Sequence, residues 1–166
     1  MAVTRRVSVE KNRLRFAAAH FATFFGECEP LHGHNYVISV ELEGDLTEDS
    51  WVWDFGDLKQ LTKEISDTLD HKFILQLESR VLKINESTTS WEINYSDKQY
   101  IFPKSDVVAL PIDNSTAERI AEWFAEQLAD SLSSRKGKFT KLTVGIEEMP
   151  GQSGWYTLDM PPSPST

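Results

Sequence analysis

Cysteine occurs once in the 166 residues, at Cys28, so no disulfide can close within the chain and an oxidised, disulfide-built scaffold is excluded. Nowhere does an apolar run approach the roughly 20 residues that span a bilayer. The opening, Met1-Ala2-Val3-Thr4-Arg5-Arg6, also lacks the apolar core of a secretory signal. These absences predict a cytoplasmic protein with no membrane partner. Basic charge is short too: 17 Lys and Arg against 26 Asp and Glu leave a net charge of −9. That excludes the counterion-releasing field on which nucleic-acid binding draws. A small anionic substrate remains admissible, held by a local cluster of cations.

Histidine is also scarce, with four in the chain, and two of them stand one residue apart in Cys28-Glu29-Pro30-Leu31-His32-Gly33-His34-Asn35-Tyr36. Tyr36, Ile38, Val40 and Leu42 follow with period two, the pattern of a strand, in which residues i and i+2 share a face. His32 and His34 then present two imidazoles side by side. A third stands upstream at His20, ending the run Leu14-Arg15-Phe16-Ala17-Ala18-Ala19, and three neutral imidazoles with an open fourth position suit a catalytic zinc. A solvated histidine pair is the plain alternative for His32 and His34 alone. Adding His20 and the nearby thiol of Cys28 favours the metal.

The composition suits one soluble domain over 1–160. Residues 1–12 read as a polar, frayed or edge start. Strands are expected from Arg13 to His20 and from Tyr36 to Gly44, with a loop from Phe21 to Leu31 between them. Asp54 has the look of a helix N-cap before Leu58, Leu61, Ile65 and Leu69, and that helix ends at Asp70-His71, where a carboxylate could fix an imidazole's tautomer. Ser115-Thr116-Ala117-Glu118 reads as a capping box opening a second amphipathic helix through Ile120, Ala121, Phe124, Leu128 and Leu132. Short β-like pieces at 81–84, 91–95 and 99–102 predict an inserted hairpin or small meander within about 75–110. Two more strands are expected around Leu142-Val144-Ile146 and Trp155-Leu158, and a disordered tail over 161–166.

Taken together and in order, Ala19-His20, Cys28-x3-His32-Gly33-His34-x-Tyr36, Trp53-Asp54-Phe55-x-x-Leu58-Lys59, Leu69-Asp70-His71, Asn114-Ser115-Thr116-Ala117-Glu118 and Glu148-Met149-Pro150 resemble the 6-pyruvoyl-tetrahydropterin synthase / 6-carboxytetrahydropterin synthase family. The resemblance implies an α+β tunnelling fold (T-fold), an antiparallel four-stranded sheet with two helices on one face, assembled as trimers or dimers of trimers. It implies Zn2+ on His20, His32 and His34, Cys28 as proton acceptor, Asp70 and His71 as a proton relay, and Glu148, helped by Thr116, gripping the pterin. Shared sites would bring Glu148 of one subunit to the metal and thiol of a neighbour. The substrate it implies is 7,8-dihydroneopterin triphosphate. The product expected is 6-carboxy-5,6,7,8-tetrahydropterin, of the queuosine and deazapurine pathway, with the 6-pyruvoyl compound as the alternative.

Two other classes compete. Gly26-x5-His32-x-His34 matches the opening of a cupin oxygenase motif, but Ile38 and Ser39 stand where its ligand glutamate belongs, and two amphipathic helices do not suit an all-β cupin. A non-catalytic pterin- or metal-binding member would keep the same histidines without turnover.

Overall fold

The computed structural model describes residues 3–160, so the tail expected over 161–166 lies outside the described residues. Four long strands form the centre: β1 (Arg6–His20), β4 (His32–Gly44), β10 (Phe139–Met149) and β11 (Gln152–Asp159). They pair antiparallel in the order β11-β10-β4-β1. The sheet continues through two strands that the sequence reading did not include, β5 (Lys72–Gln76) and β9 (Val107–Leu110), both parallel to their neighbours. Parallel pairing here buries Phe73 to Gln76 without a break, so this stretch has no alternating pattern to reveal it.

Helix α1 (Phe55–Leu69) begins where expected, with the Asp54 carboxylate accepting from the Asp57 amide at 2.9 Å. Helix α2 (Ala117–Ser133) begins one residue later than the capping box suggested: Thr116 is the cap, accepting from the Arg119 amide. Ser115 is engaged elsewhere, its hydroxyl donating to the Phe21 carbonyl at 3.2 Å. Both helices lie against one face of the sheet. Leu58, Leu61 and Leu69 of α1 and Ile120, Phe124 and Leu128 of α2 share a core with Phe16, Tyr36, Ile38, Val40, Leu142 and Val144.

The start of the chain departs from its reading. Residues from Arg6 are paired strand, Arg6–Glu10 lying opposite Ser39–Glu43, and a bulge between Glu10 and Arg15 resets the register before Arg15–His20 pairs with His32–Val37. The bulge shifts which residues face inward, which is why no single period-two pattern crosses it. Two small sheets complete the fold: a hairpin of β2 (Thr23–Phe24) and β3 (Glu27–Cys28), and a meander of β6 (Lys83–Glu86), β7 (Ser90–Tyr95) and β8 (Lys98–Pro103). The meander is anchored by Phe73 stacked on Phe102 with ring centroids 4.4 Å apart, and by Phe21 against Tyr100 at 5.1 Å.

Candidate metal centre and cleft

Register builds the centre. His20 ends β1 directly opposite His32, which starts β4, and Ala18 lies opposite His34, so three imidazoles occupy the core-facing side at one end of the sheet. Their available nitrogens all lie within 4.8 Å of one another. Second partners orient two of the rings. His20 Nδ1 is 2.8 Å from the Ser115 carbonyl and His32 Nδ1 is 2.8 Å from the Pro30 carbonyl, and a carbonyl can only accept, so each Nδ1 carries the proton and each Nε2 keeps its lone pair. The Nε2 atoms of His20 and His34 are buried with no hydrogen-bond partner. Unpaired buried nitrogens are unfavourable unless something binds them.

Burial lowers the His20 pKa to about 4 and, with help from neighbouring His32, lowers that of His34. Neutral imidazoles converging with free lone pairs are the donor set that zinc takes. The fit is therefore good on geometry, protonation and donor type.

A cleft of about 500 Å³ opens on these histidines, its wall including Glu29, Thr116, Glu118 and Glu148, within the range of small-molecule sites. Glu148 comes from β10, whose pairing with β4 brings its carboxylate to 4.0 Å from His20 Nε2 in the same chain. The expectation that Glu148 would reach a neighbour's metal is thereby corrected: adjacent strands of one sheet carry both. Burial and the charge of Glu29 push the Glu148 carboxyl above its ordinary range. Gly154 lets the first turn of α2 into the wall, since a Cβ there would stand 2.4 Å from the Glu118 nitrogen.

Cys28, Asp70 and His71 are not part of this wall. Cys28 lies behind it, packed against the second core of Phe21, Phe73, Leu75, Leu82 and Ile93. Its thiol is 3.4 Å from the Glu29 carbonyl, and burial pushes its pKa up. Asp70 and His71 sit at the end of α1, where Asp70 accepts from the Ala17 amide at 2.8 Å and from His71 Nδ1 at 2.9 Å. The amide of Ala17 is the main reason the Asp70 carboxyl lies below its usual range. His71 is 83% exposed. Sequence reasoning missed Glu29, although it adjoins Cys28; its backbone amide donates to the Ala22 carbonyl at 3.0 Å and its carboxylate accepts from the Ala22 amide at 3.3 Å, holding it at the wall. It missed Tyr36 as well, whose buried hydroxyl has no partner and whose ring lies 5.4 Å from that of His34.

A T-fold sheet carrying a three-histidine, metal-ready cup at the mouth of a carboxylate-lined cleft defines the class. The family model for 6-pyruvoyl tetrahydropterin synthase matches residues 8–159. A Methanocaldococcus jannaschii protein, provisionally named 6-carboxy-5,6,7,8-tetrahydropterin synthase, is 36% identical over 86% of this chain and 89% of its own. A Pyrococcus abyssi protein with the same provisional name is 32% identical over 99% and 98%. The crystal structure of 6-pyruvoyl tetrahydropterin synthase from Plasmodium vivax superposes with a TM-score of 0.87 at 34% identity, covering 95% of this chain and 99% of that one. Variant structures of that enzyme replace a glutamate, described as a catalytic residue, by alanine and by cysteine. The chain belongs to the 6-pyruvoyl tetrahydropterin synthase family.

Proposed function

We propose that this protein is a zinc-dependent lyase that converts 7,8-dihydroneopterin triphosphate and one water to 6-carboxy-5,6,7,8-tetrahydropterin, with loss of triphosphate and of the two outer side-chain carbons as acetaldehyde. The observation that carries the reading is the convergence of three imidazoles, two with unpaired buried nitrogens, on a cleft that also holds Glu148. The names of the archaeal relatives support the 6-carboxy product. Zinc held by His20, His32 and His34 would supply Lewis acidity to the hydroxyls of the substrate side chain.

The chain's own residues do the rest. Glu148, when ionised, accepts two N–H bonds from the amino-pyrimidine edge of the pterin, and Thr116 adds a polar contact beside it. A proton acceptor then works on the side chain from the hairpin that carries Cys28 and Glu29. Asp70 orients His71 for the returning proton. Since that pair lies outside this chain's cleft, a second copy in a trimer or dimer of trimers would contribute it.

A second reading is favoured by one observation: Glu29, not Cys28, is in the cleft wall, and a glutamate is described as catalytic in the Plasmodium vivax enzyme. On that reading Glu29 is the acceptor and the product is the 6-pyruvoyl compound. The two products differ in how many side-chain carbons are retained. Mass analysis of the products from zinc-loaded protein with dihydroneopterin triphosphate separates them, and comparison of Cys28→Ala with Glu29→Ala assigns the acceptor. Absence of any turnover by the zinc-loaded protein would leave only a binding module and overturn both readings.

A further inference from the structure

The meander of β6, β7 and β8 touches the hairpin of β2 and β3 at its tip. That hairpin turns through Phe25 at φ 49° and Gly26 at φ 81°. Glycine takes such a conformation freely, but a bulky residue is strained in it, and Phe25 recovers little by burial, being 92% exposed. Something outside the hairpin must therefore hold the turn in place. Asn114 brackets the base of the hairpin, accepting from the Thr23 amide at 2.8 Å and donating to the Thr23 carbonyl at 2.7 Å; at the tip the contact is Tyr95, whose hydroxyl donates to Glu27 Oε2 at 2.7 Å and lies 3.4 Å from the Gly26 carbonyl. Tyr95 and Lys98 are the closing pair of the β7–β8 hairpin, and side chains directly opposite in an antiparallel pair emerge on the same side. Glu27 and Cys28 are consecutive in β3. The tip of one hairpin thus sets the Tyr95 hydroxyl on the tip of the other, and Lys98 leaves the ribbon on the same side.

We propose that the meander is a positioning clamp for the segment that carries Cys28 and Glu29: Tyr95 fixes the hairpin's posture, and Lys98 supports the thiolate of Cys28. Tyr95 and Lys98 are positioning residues, since neither lines the cleft. The charges that bear on the thiol come from both elements, Lys98 favouring its ionisation and Glu29 opposing it, with Tyr95 and Glu27 adjoining. As a statement about turnover, the clamp rests on the reading above that this segment supplies the proton acceptor. As a statement about the thiol, it stands alone.

Cys28 is the only cysteine, so the alkylation rate of the whole protein by iodoacetamide, followed against pH, reports this thiol and no other. Two features of the profile separate the two parts of the clamp. Lys98→Gln should move the midpoint to higher pH, slowing alkylation at neutral pH about threefold, the order expected for one solvent-screened charge, while leaving the alkaline plateau unchanged. Tyr95→Phe should raise the plateau, because a loosened hairpin exposes the thiol, and should speed hydrogen exchange at the amides of 26–28. Both variants are checked for wild-type circular dichroism and zinc content, and a merely structural defect would show there. Profiles that coincide with wild type in both variants would overturn the proposal. If the profiles change as expected while turnover by both variants stays at the wild-type value, the clamp stands and the catalytic role of the segment fails.

Discussion

Acidifying the metal-free protein tests the histidine cup most directly. His20 is 2% exposed, and burial holds its pKa at about 4 against 6.5 unfolded. The unfolded chain therefore binds a proton between those values that the folded chain refuses. A lowered histidine pKa leaves stability intact above the unfolded value and removes it as pH falls from about 6.5 towards 4. The full loss is about 3 kcal/mol, of which about 2 kcal/mol is gone by pH 5. Asp57 and Asp70, both held below the ordinary carboxylate range, lose their contribution only at lower pH. Glu148 acts with the opposite sign, since its raised pKa makes the folded state the better proton acceptor.

The assay is urea unfolding of chelator-stripped protein at fixed concentration between pH 7 and pH 5, compared with His20→Asn. Asparagine retains a donor for the Ser115 carbonyl that His20 Nδ1 serves and cannot titrate, so its pH-independent packing defect cancels from the comparison. Wild type should lose about 2 kcal/mol more than the variant across this range. Parallel curves would refute the reasoning: they would mean that His20 titrates as it does in water and that the cup is wet. Zinc loading should steepen the wild-type dependence, because protons then compete with the metal for the same nitrogens.

Three further outcomes are expected. Metal analysis should find about one zinc per chain in wild type and little in His32→Ala; full retention in the variant would sink the three-histidine site. Arg135 forks onto Asp57 at 2.9 and 3.0 Å, tying the end of α2 to the first turn of α1. A double-mutant cycle with Asp57→Ala and Arg135→Ala should return a favourable coupling that weakens with added salt, and none at all would make the fork ornamental. Mixing inactive Glu148→Gln with inactive His71→Asn subunits, asparagine being tolerant of the φ of 58° at that position, should restore part of the turnover. Mixed oligomers that stay inactive would confine the Asp70–His71 pair to its own chain.

What the sequence disclosed divides by how local the cause is. The strand after His32 and the helix after Asp54 were legible because period-two alternation and an Asx cap act within a few residues. The bulge between Glu10 and Arg15 interrupts that pattern, so the alternation alone places the start of β1 at Arg13 instead of Arg6. The capping box points to Ser115 instead of Thr116 as the cap of α2 for a related reason. A capping box is a local pattern, and here Phe21, 94 residues away, takes the Ser115 hydroxyl. The short parallel strands β5 and β9 left no period because their setting is created by the sheet they join.

The same distinction governs the site. Histidine spacing marked the three imidazoles, but which nitrogen each presents depends on the carbonyls of Ser115 and Pro30, and only the second of these is near in sequence. Between adjacent residues of one segment, residue type pointed to the thiol of Cys28, whereas the fold turns the carboxylate of Glu29 to the cleft. A strand alternates its faces, so a single step along β3 and its exit exchanges one acid–base group for another. Ala22, seven residues back, holds the Glu29 amide and carboxylate in that place. Residue chemistry in such a segment names the possible proton acceptors, and long-range contacts select among them.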